Sequence, residues 1–112
     1  MEKPEAQELL TIHATLCKAI ADPTRIALLY EIGDGPRHVN QLVDVLAIPQ
    51  ATVSRHLKVL RDASLVATRR DGPYIFYELA DRRVLEALNL MRAVRSDILA
   101  RQQILANAIA PQ

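Results

Sequence analysis

Gln50-Ala51-Thr52-Val53-Ser54-Arg55-His56-Leu57-Lys58-Val59-Leu60 decides how this chain folds, together with Pro49 before it and the change of period after Leu65. Val53, Leu57, Leu60 and Ala63 recur at spacings of three and four, which lines them along one face of a helix. Upstream, Val39, Leu42, Val43 and Leu46 repeat that spacing in a shorter helix. It must stop before Pro49, because the residue ahead of a proline is driven out of helical backbone. Downstream, Val66-Ala67-Thr68-Arg69-Arg70 and Tyr74-Ile75-Phe76-Tyr77-Glu78-Leu79 flank Asp71-Gly72-Pro73, two β-prone runs around a turn, which predicts a hairpin. A short helix, a tight turn, a second helix and a hairpin make up the order of a winged helix-turn-helix. In that arrangement the second helix enters the DNA major groove and the hairpin reaches a neighbouring phosphate or the minor groove.

Working outward, Leu9, Leu10, Ile12, Leu16, Cys17 and Ile20 predict a first helix over Glu5–Ala21. Asp22 then serves as the N-cap of a second helix opened by Pro23, carried by Ile26, Leu28, Leu29 and Ile32 and ended by Gly33-Asp34-Gly35-Pro36. From Asp81 the helical spacing returns through Leu85, Leu88, Met91, Val94, Ile98 and Leu105, with no breaker before Pro111. The expected fold is mainly α with a β-hairpin wing, a single winged helix-turn-helix domain over 1–112. Its helix-turn-helix lies at about 38–63, its wing at about 66–79 and its dimerisation helices at about 5–21 and 81–108. A chain of 112 residues covers only part of such apolar faces by itself, so a homodimer is expected through Leu9, Leu16, Ile20, Leu88, Met91 and Ile98.

Fourteen Lys and Arg against thirteen Asp and Glu leave a net charge of +1, which excludes a uniformly basic nucleic-acid protein. The distribution is uneven, however. Between Pro49 and Arg70 five bases face Asp62 alone, a net +4, whereas residues 1–48 hold four bases against seven acids, a net −3. Gln50, Thr52, Ser54, Arg55 and Lys58 lie off the apolar face of the second helix of the motif. Gln pairs with adenine and Arg with guanine through two hydrogen bonds, while Ser and Thr bond bases or phosphates. The single cysteine, Cys17, forms no internal disulfide, the opening MEKPEAQE lacks the pattern of a secretory signal, and no apolar run is long enough to span a membrane. A cytoplasmic protein without membrane partners is expected. The sequence has no Gly-rich phosphate loop and no G-x-S-x-G elbow, so no enzymatic activity is expected. The competing function is a helical dimerisation or adaptor module that acts through protein contacts and has no operator of its own.

Ala21-Asp22-Pro23-Thr24-Arg25-Ile26-Ala27-Leu28-Leu29, the Gln50–Leu60 stretch and a hairpin ending Tyr77-Glu78-Leu79 resemble the ArsR/SmtB family of bacterial winged-helix repressors, over roughly residues 9–100. The resemblance implies a homodimeric transcriptional repressor, dimerised through its first and last helices, bound to an inverted repeat in a double-stranded operator and released by a metal or another inducer. It also implies DNA-reading positions at Gln50, Thr52, Ser54, Arg55 and His56 on the helix and at Arg69, Arg70 and Tyr74 on the wing. Pro49 departs from the serine cap common in relatives and supplies no side-chain cap.

The inducer sites implied by the resemblance lack their ligands here. His38 and Asn40 stand where one site has Cys-x-Cys, the last helix holds no histidine, and a dithiol sensor lacks a second cysteine. His13 and Cys17, four apart on the first helix, have two readings: Cys17 as a small buried hydrophobe beside Leu16 and Ile20 with His13 as an interface residue, or the pair as an inducer site. Two copies of the pair across a dimer would form a two-His, two-Cys site for zinc or another soft metal, and no other cofactor is expected.

Overall fold

The structure is a computed structural model that describes residues 1–110. Helix α1 runs over Ala6–Ile12, passes through a wider turn at His13–Cys17 and closes at Lys18–Ile20. It is followed by α2 (Pro23–Gly33), β1 (Arg37–His38), α3 (Val39–Leu46), α4 (Gln50–Asp62), β2 (Val66–Asp71), β3 (Tyr74–Leu79) and α5 (Arg83–Ile109). The chain divides into two compact units, residues 1–82 and the unit formed by α5. None of the helices among the described residues is long and apolar enough to cross a membrane.

Local chemistry sets the boundaries that matter for the site. Asp22 caps α2 as expected, its Oδ1 accepting from the amides of Thr24 at 2.8 Å and Arg25 at 3.1 Å, with Pro23 in the first turn. Ala47 ends α3 in left-handed backbone (φ 54°) while its N–H still reaches the Val43 carbonyl at 2.9 Å, and this reversal makes the turn into α4 short. Pro49 caps α4 with its backbone alone, its carbonyl accepting from Thr52 and Val53. At the far end of α4, Ser64 takes φ 62° and the Leu65 N–H bonds back to the Leu60 carbonyl at 2.9 Å. A left-handed serine thus does the work usually given to glycine and turns the chain into β2.

The buried interior of the first unit is built from Leu28, Leu29 and Ile32 of α2, Leu42 of α3 and Val53, Leu57 and Leu60 of α4, joined by Ala19, Leu65 and Val66. Each of these helices contributes the face that its spacing predicted. The sheet has three antiparallel strands in the order β1-β3-β2. The hairpin pairs Val66 with Leu79 through to Asp71 with Tyr74, and Gly72 supplies the positive φ of 61° at its tip. The third strand is an addition to the expected hairpin: Arg37 pairs with Tyr77 and His38 with Phe76.

Two further differences concern the helices. At His13–Cys17 the ladder of α1 widens, the Lys18 N–H reaching five residues back to the His13 carbonyl. Within that turn the Thr15 hydroxyl donates to the Thr11 carbonyl at 2.7 Å, and ahead of it the Thr11 hydroxyl donates to that of Gln7 at 3.0 Å. Helix α5 begins at Arg83, two residues later than expected, and its Leu85 and Leu88 are buried. Leu88, one of the expected dimer contacts, is 5% exposed.

Candidate nucleic-acid interface

Helix α4 buries Val53, Leu57 and Leu60 completely, and a rotation of 100° per residue then turns Gln50, Ser54, Arg55 and Lys58 outward. All four are exposed, and Thr52 beside them is half-buried. Arg55 makes no hydrogen bond or ion pair among the described residues, whereas Lys58 Nζ lies 2.8 Å from Asp62 Oδ2 one turn further on. That hydrogen bond holds the Asp62 carboxyl below the ordinary aspartate range. Both partners are well exposed, so the pair adds little stability, and a phosphate would compete with Asp62 for the ammonium.

On the wing the register pairs Arg69 with Phe76 and Arg70 with Ile75. Consecutive strand residues point to opposite faces, so the two arginines do different things. The Arg69 guanidinium lies over the Phe76 ring, 5.7 Å from its centroid, while Arg70 stands at the hairpin tip with Nε 3.5 Å from the Gly72 carbonyl. Tyr74 is exposed and stacks on His38, with ring centroids 4.7 Å apart and planes 21° from parallel, and His38 meets the Phe76 edge at 5.5 Å. A shallow cavity of about 220 Å³ lies between the start of α3 (His38, Val39, Asn40), Gln50 at the head of α4, and Pro73, Tyr74, Ile75 and Tyr77 of the wing. The head of α4 and the wing therefore converge on one surface. Sequence reading missed His38 as a part of it, because the stack forms only when β1 joins β3.

His56 stands apart from these residues. It is 8% exposed, and its Nδ1 lies 3.1 Å from Nη1 of Arg25 and 4.0 Å from Oδ1 of Asp22. It turns into the protein with Leu57 and Leu60, away from the face that carries Arg55, and so does not present itself to a base. The signal was in the spacing: 53, 56, 57 and 60 form one i, i+3, i+4, i+7 stripe.

The Asp22 carboxyl is held below the ordinary aspartate range chiefly by the Arg25 amide, with burial opposing and His56, the Thr24 amide and the Arg25 charge assisting. A lowered native value means stability that is complete above the ordinary aspartate pKa of about 3.9 and is lost as the pH falls from there through the native value. Acid titration of the thermal midpoint is expected to show this loss. Asp22→Asn, which keeps an accepting oxygen, is expected to remove Asp22's share of the slope and leave that of Asp62. An unchanged slope in Asp22→Asn would place the acid sensitivity elsewhere.

His13 and Cys17 both lie in the wider turn of α1 and are exposed. Among the described residues no group of three or more His, Cys, Asp or Glu is placed to hold a metal ion. Of the expected dimer contacts, Leu9, Leu16, Met91 and Ile98 are exposed and Ile20 is half-buried.

Residues 22–68 match the bacterial regulatory protein, arsR family. The chain is 41% identical over 78 residues to the HTH-type transcriptional repressor SmtB of Mycobacterium tuberculosis, covering 70% of this chain and 58% of that one. It thus spans less than two thirds of that relative. It is 38% identical over 79 residues to an uncharacterized HTH-type transcriptional regulator of Methanocaldococcus jannaschii, covering 70% of this chain and 89% of the relative. Among solved structures it is similar to the homodimeric winged helix-turn-helix DNA-binding domain Mb0332 of Mycobacterium bovis, a possible ArsR-family transcriptional regulator. That likeness has a TM-score of 0.72 and 26% identity, and covers 87% of this chain and 92% of the other.

Proposed function

Because the chain belongs to the ArsR family of bacterial regulatory proteins, we propose that it is a homodimeric, sequence-specific DNA-binding repressor of transcription. The observation that carries this reading is the exposed row Gln50, Ser54 and Arg55, held by a fully buried opposite face and set beside a wing that ends in Arg70. In this reading residues 1–112 act as one winged helix-turn-helix domain in the cytoplasm. Gln50, Ser54 and Arg55 read base edges, Thr52 sits at the helix flank, and Lys58, Arg69, Arg70 and Tyr74 hold the backbone. Two-fold symmetry then asks for an inverted repeat whose half-sites lie about 34 Å apart, one turn of the duplex. The reading is tested by duplex binding across a salt series. Each phosphate that the wing and helix neutralise releases counterions, so affinity must fall steeply with salt. Binding that ignores salt would favour a module acting through protein contacts.

The second copy would cover the exposed Leu9 and Leu16 with the half-buried Ile20 on α1, and the exposed Met91 and Ile98 on α5. Sedimentation is expected to give a dimer at micromolar concentration and a folded monomer for Met91→Lys combined with Ile98→Lys. A monomeric wild type would contradict this.

The relatives' names attach repression to the family, and for an inducer this chain offers His13 and Cys17. A soft metal bound there would sit in the wider turn of α1, and since a thiolate ligand must shed its proton, binding would strengthen with pH. Zinc or cadmium is expected to release DNA from the wild type and to fail with Cys17→Ser. Release that survives this substitution would place the sensor elsewhere.

A further inference from the structure

Arg25 lies in the first turn of α2, but its side chain serves two other helices. Nε donates to the Ala19 carbonyl, Nη2 donates to the Lys18 carbonyl at 3.0 Å, and Nη1 lies 3.1 Å from His56 Nδ1. The two carbonyls belong to the last turn of α1, where that of Lys18 also accepts the Ala21 amide at 3.3 Å. His56 belongs to the middle of α4. A guanidinium only donates, so the contact with His56 requires Nδ1 to be the acceptor and the ring proton to sit on Nε2. The backbone of Arg25 is itself pinned, its amide donating to Asp22 Oδ1 at 3.1 Å.

Packing alone does not explain a histidine here. Val53, Leu57 and Leu60, which share its stripe, are fully buried aliphatics, and an aliphatic residue at 56 would fill the same place without needing a partner. Apolar burial is non-directional and tolerates small rotations of a helix about its axis. A planar fork with three acceptors in fixed directions does not.

We propose that Arg25 and His56 are positioning residues for DNA readout: their hydrogen bond fixes the rotation of α4 against the last turn of α1, and with it the presentation of Gln50, Ser54 and Arg55. The inference rests on the DNA-binding reading above. It also gives α1 a route to the DNA surface. A shift of its last turn, which follows directly on the widened segment His13–Cys17, is carried by one guanidinium to the recognition helix.

The test compares His56→Leu, which fills the site without an acceptor, with His56→Asn, whose amide oxygen falls near the position of Nδ1, in the full-length dimer. Each is measured for thermal midpoint, for affinity to a duplex selected from a random pool and to an unselected duplex, and for hydrogen exchange of the α4 amides without DNA. Expected is a His56→Leu protein at least as thermostable as His56→Asn. Its ratio of selected to unselected affinity falls about tenfold, equivalent to roughly 1.4 kcal/mol, with unselected affinity unchanged. Its α4 amides exchange faster than in the wild type. His56→Asn is expected to keep that ratio within about threefold, and Arg25→Lys with His56→Leu to cost no more than the worse single change. If the ratio follows thermal stability instead, so that His56→Asn is the poorer reader, the pair is merely structural and the proposal falls. Wild-type exchange rates in His56→Leu overturn it as well. A wild type that selects no duplex but whose α4 amides loosen in His56→Leu alone would refute the DNA-binding reading and leave the α1–α4 coupling standing.

Discussion

Replacing Leu57 by alanine is expected to lower the unfolding free energy by about 2–5 kcal/mol, in a domain whose whole margin is of the order of 5–15 kcal/mol. Leu57 is completely buried in the middle of α4, between Val53 and Leu60, which are completely buried too. Its loss therefore removes apolar contact on the face that seats the recognition helix and leaves a cavity that rigid neighbours fill poorly. Val59, two residues on and 37% exposed, provides the contrast: Val59→Ala is expected to stay within about 0.5 kcal/mol of the wild type. Urea denaturation of the two variants checks both numbers. A Leu57→Ala cost below about 1 kcal/mol would mean that α4 is not seated as described.

The second large effect concerns the DNA surface. Arg55 is exposed, has no hydrogen bond or ion pair among the described residues, and stands one turn into α4 from Gln50, where base edges are reached. Arg55→Ala is expected to relax discrimination at one position of each half-site by about 1–3 kcal/mol. Arg70, at the hairpin tip, is expected to hold a phosphate, so Arg70→Ala should weaken all duplexes alike and reduce the salt slope by about 1. Arg69 differs from both. Its guanidinium packs over Phe76 on the other face of the hairpin, so its removal also loosens the aromatic cluster that joins the wing to His38. Binding profiles over single-base variants of the site separate these roles. If Arg70→Ala changed base preference while Arg55→Ala did not, the assignments would have to be exchanged.

The fold was legible wherever a residue acts on its own neighbourhood. Asp22 before Pro23, Pro49 between two helical spacings and Gly72 within the hairpin each impose backbone geometry locally, and the elements begin and end near them. The faces of α2, α3 and α4 followed from spacing, because burial of an apolar stripe leaves a helix little choice. What escaped was long-range or backbone-borne. β1 is two residues long, too short for any period, and exists only because β3 lies beside it. The left-handed turn at Ser64 carries no glycine to announce it, and the widened turn of α1 shows only in the threonines at 11 and 15.

The candidate site divides in the same way. Gln50, Ser54 and Arg55 could be placed by asking which positions an amphipathic helix turns outward, whereas the wing arginines came from the family resemblance. His56 was put among the DNA-reading positions by the family resemblance although the spacing sets it in the buried stripe, and its partner Arg25 lies 31 residues away.

Selection of duplexes from a random pool by the wild-type protein, followed by affinity measurement of the enriched sequence across a salt series, puts symmetric DNA readout to the test. An imperfect inverted repeat with half-sites about one helical turn apart is expected to be enriched and bound by a dimer with an affinity that falls steeply as salt rises. A pool that emerges without a common sequence, or binding by a single protomer to one asymmetric half-site, would contradict it.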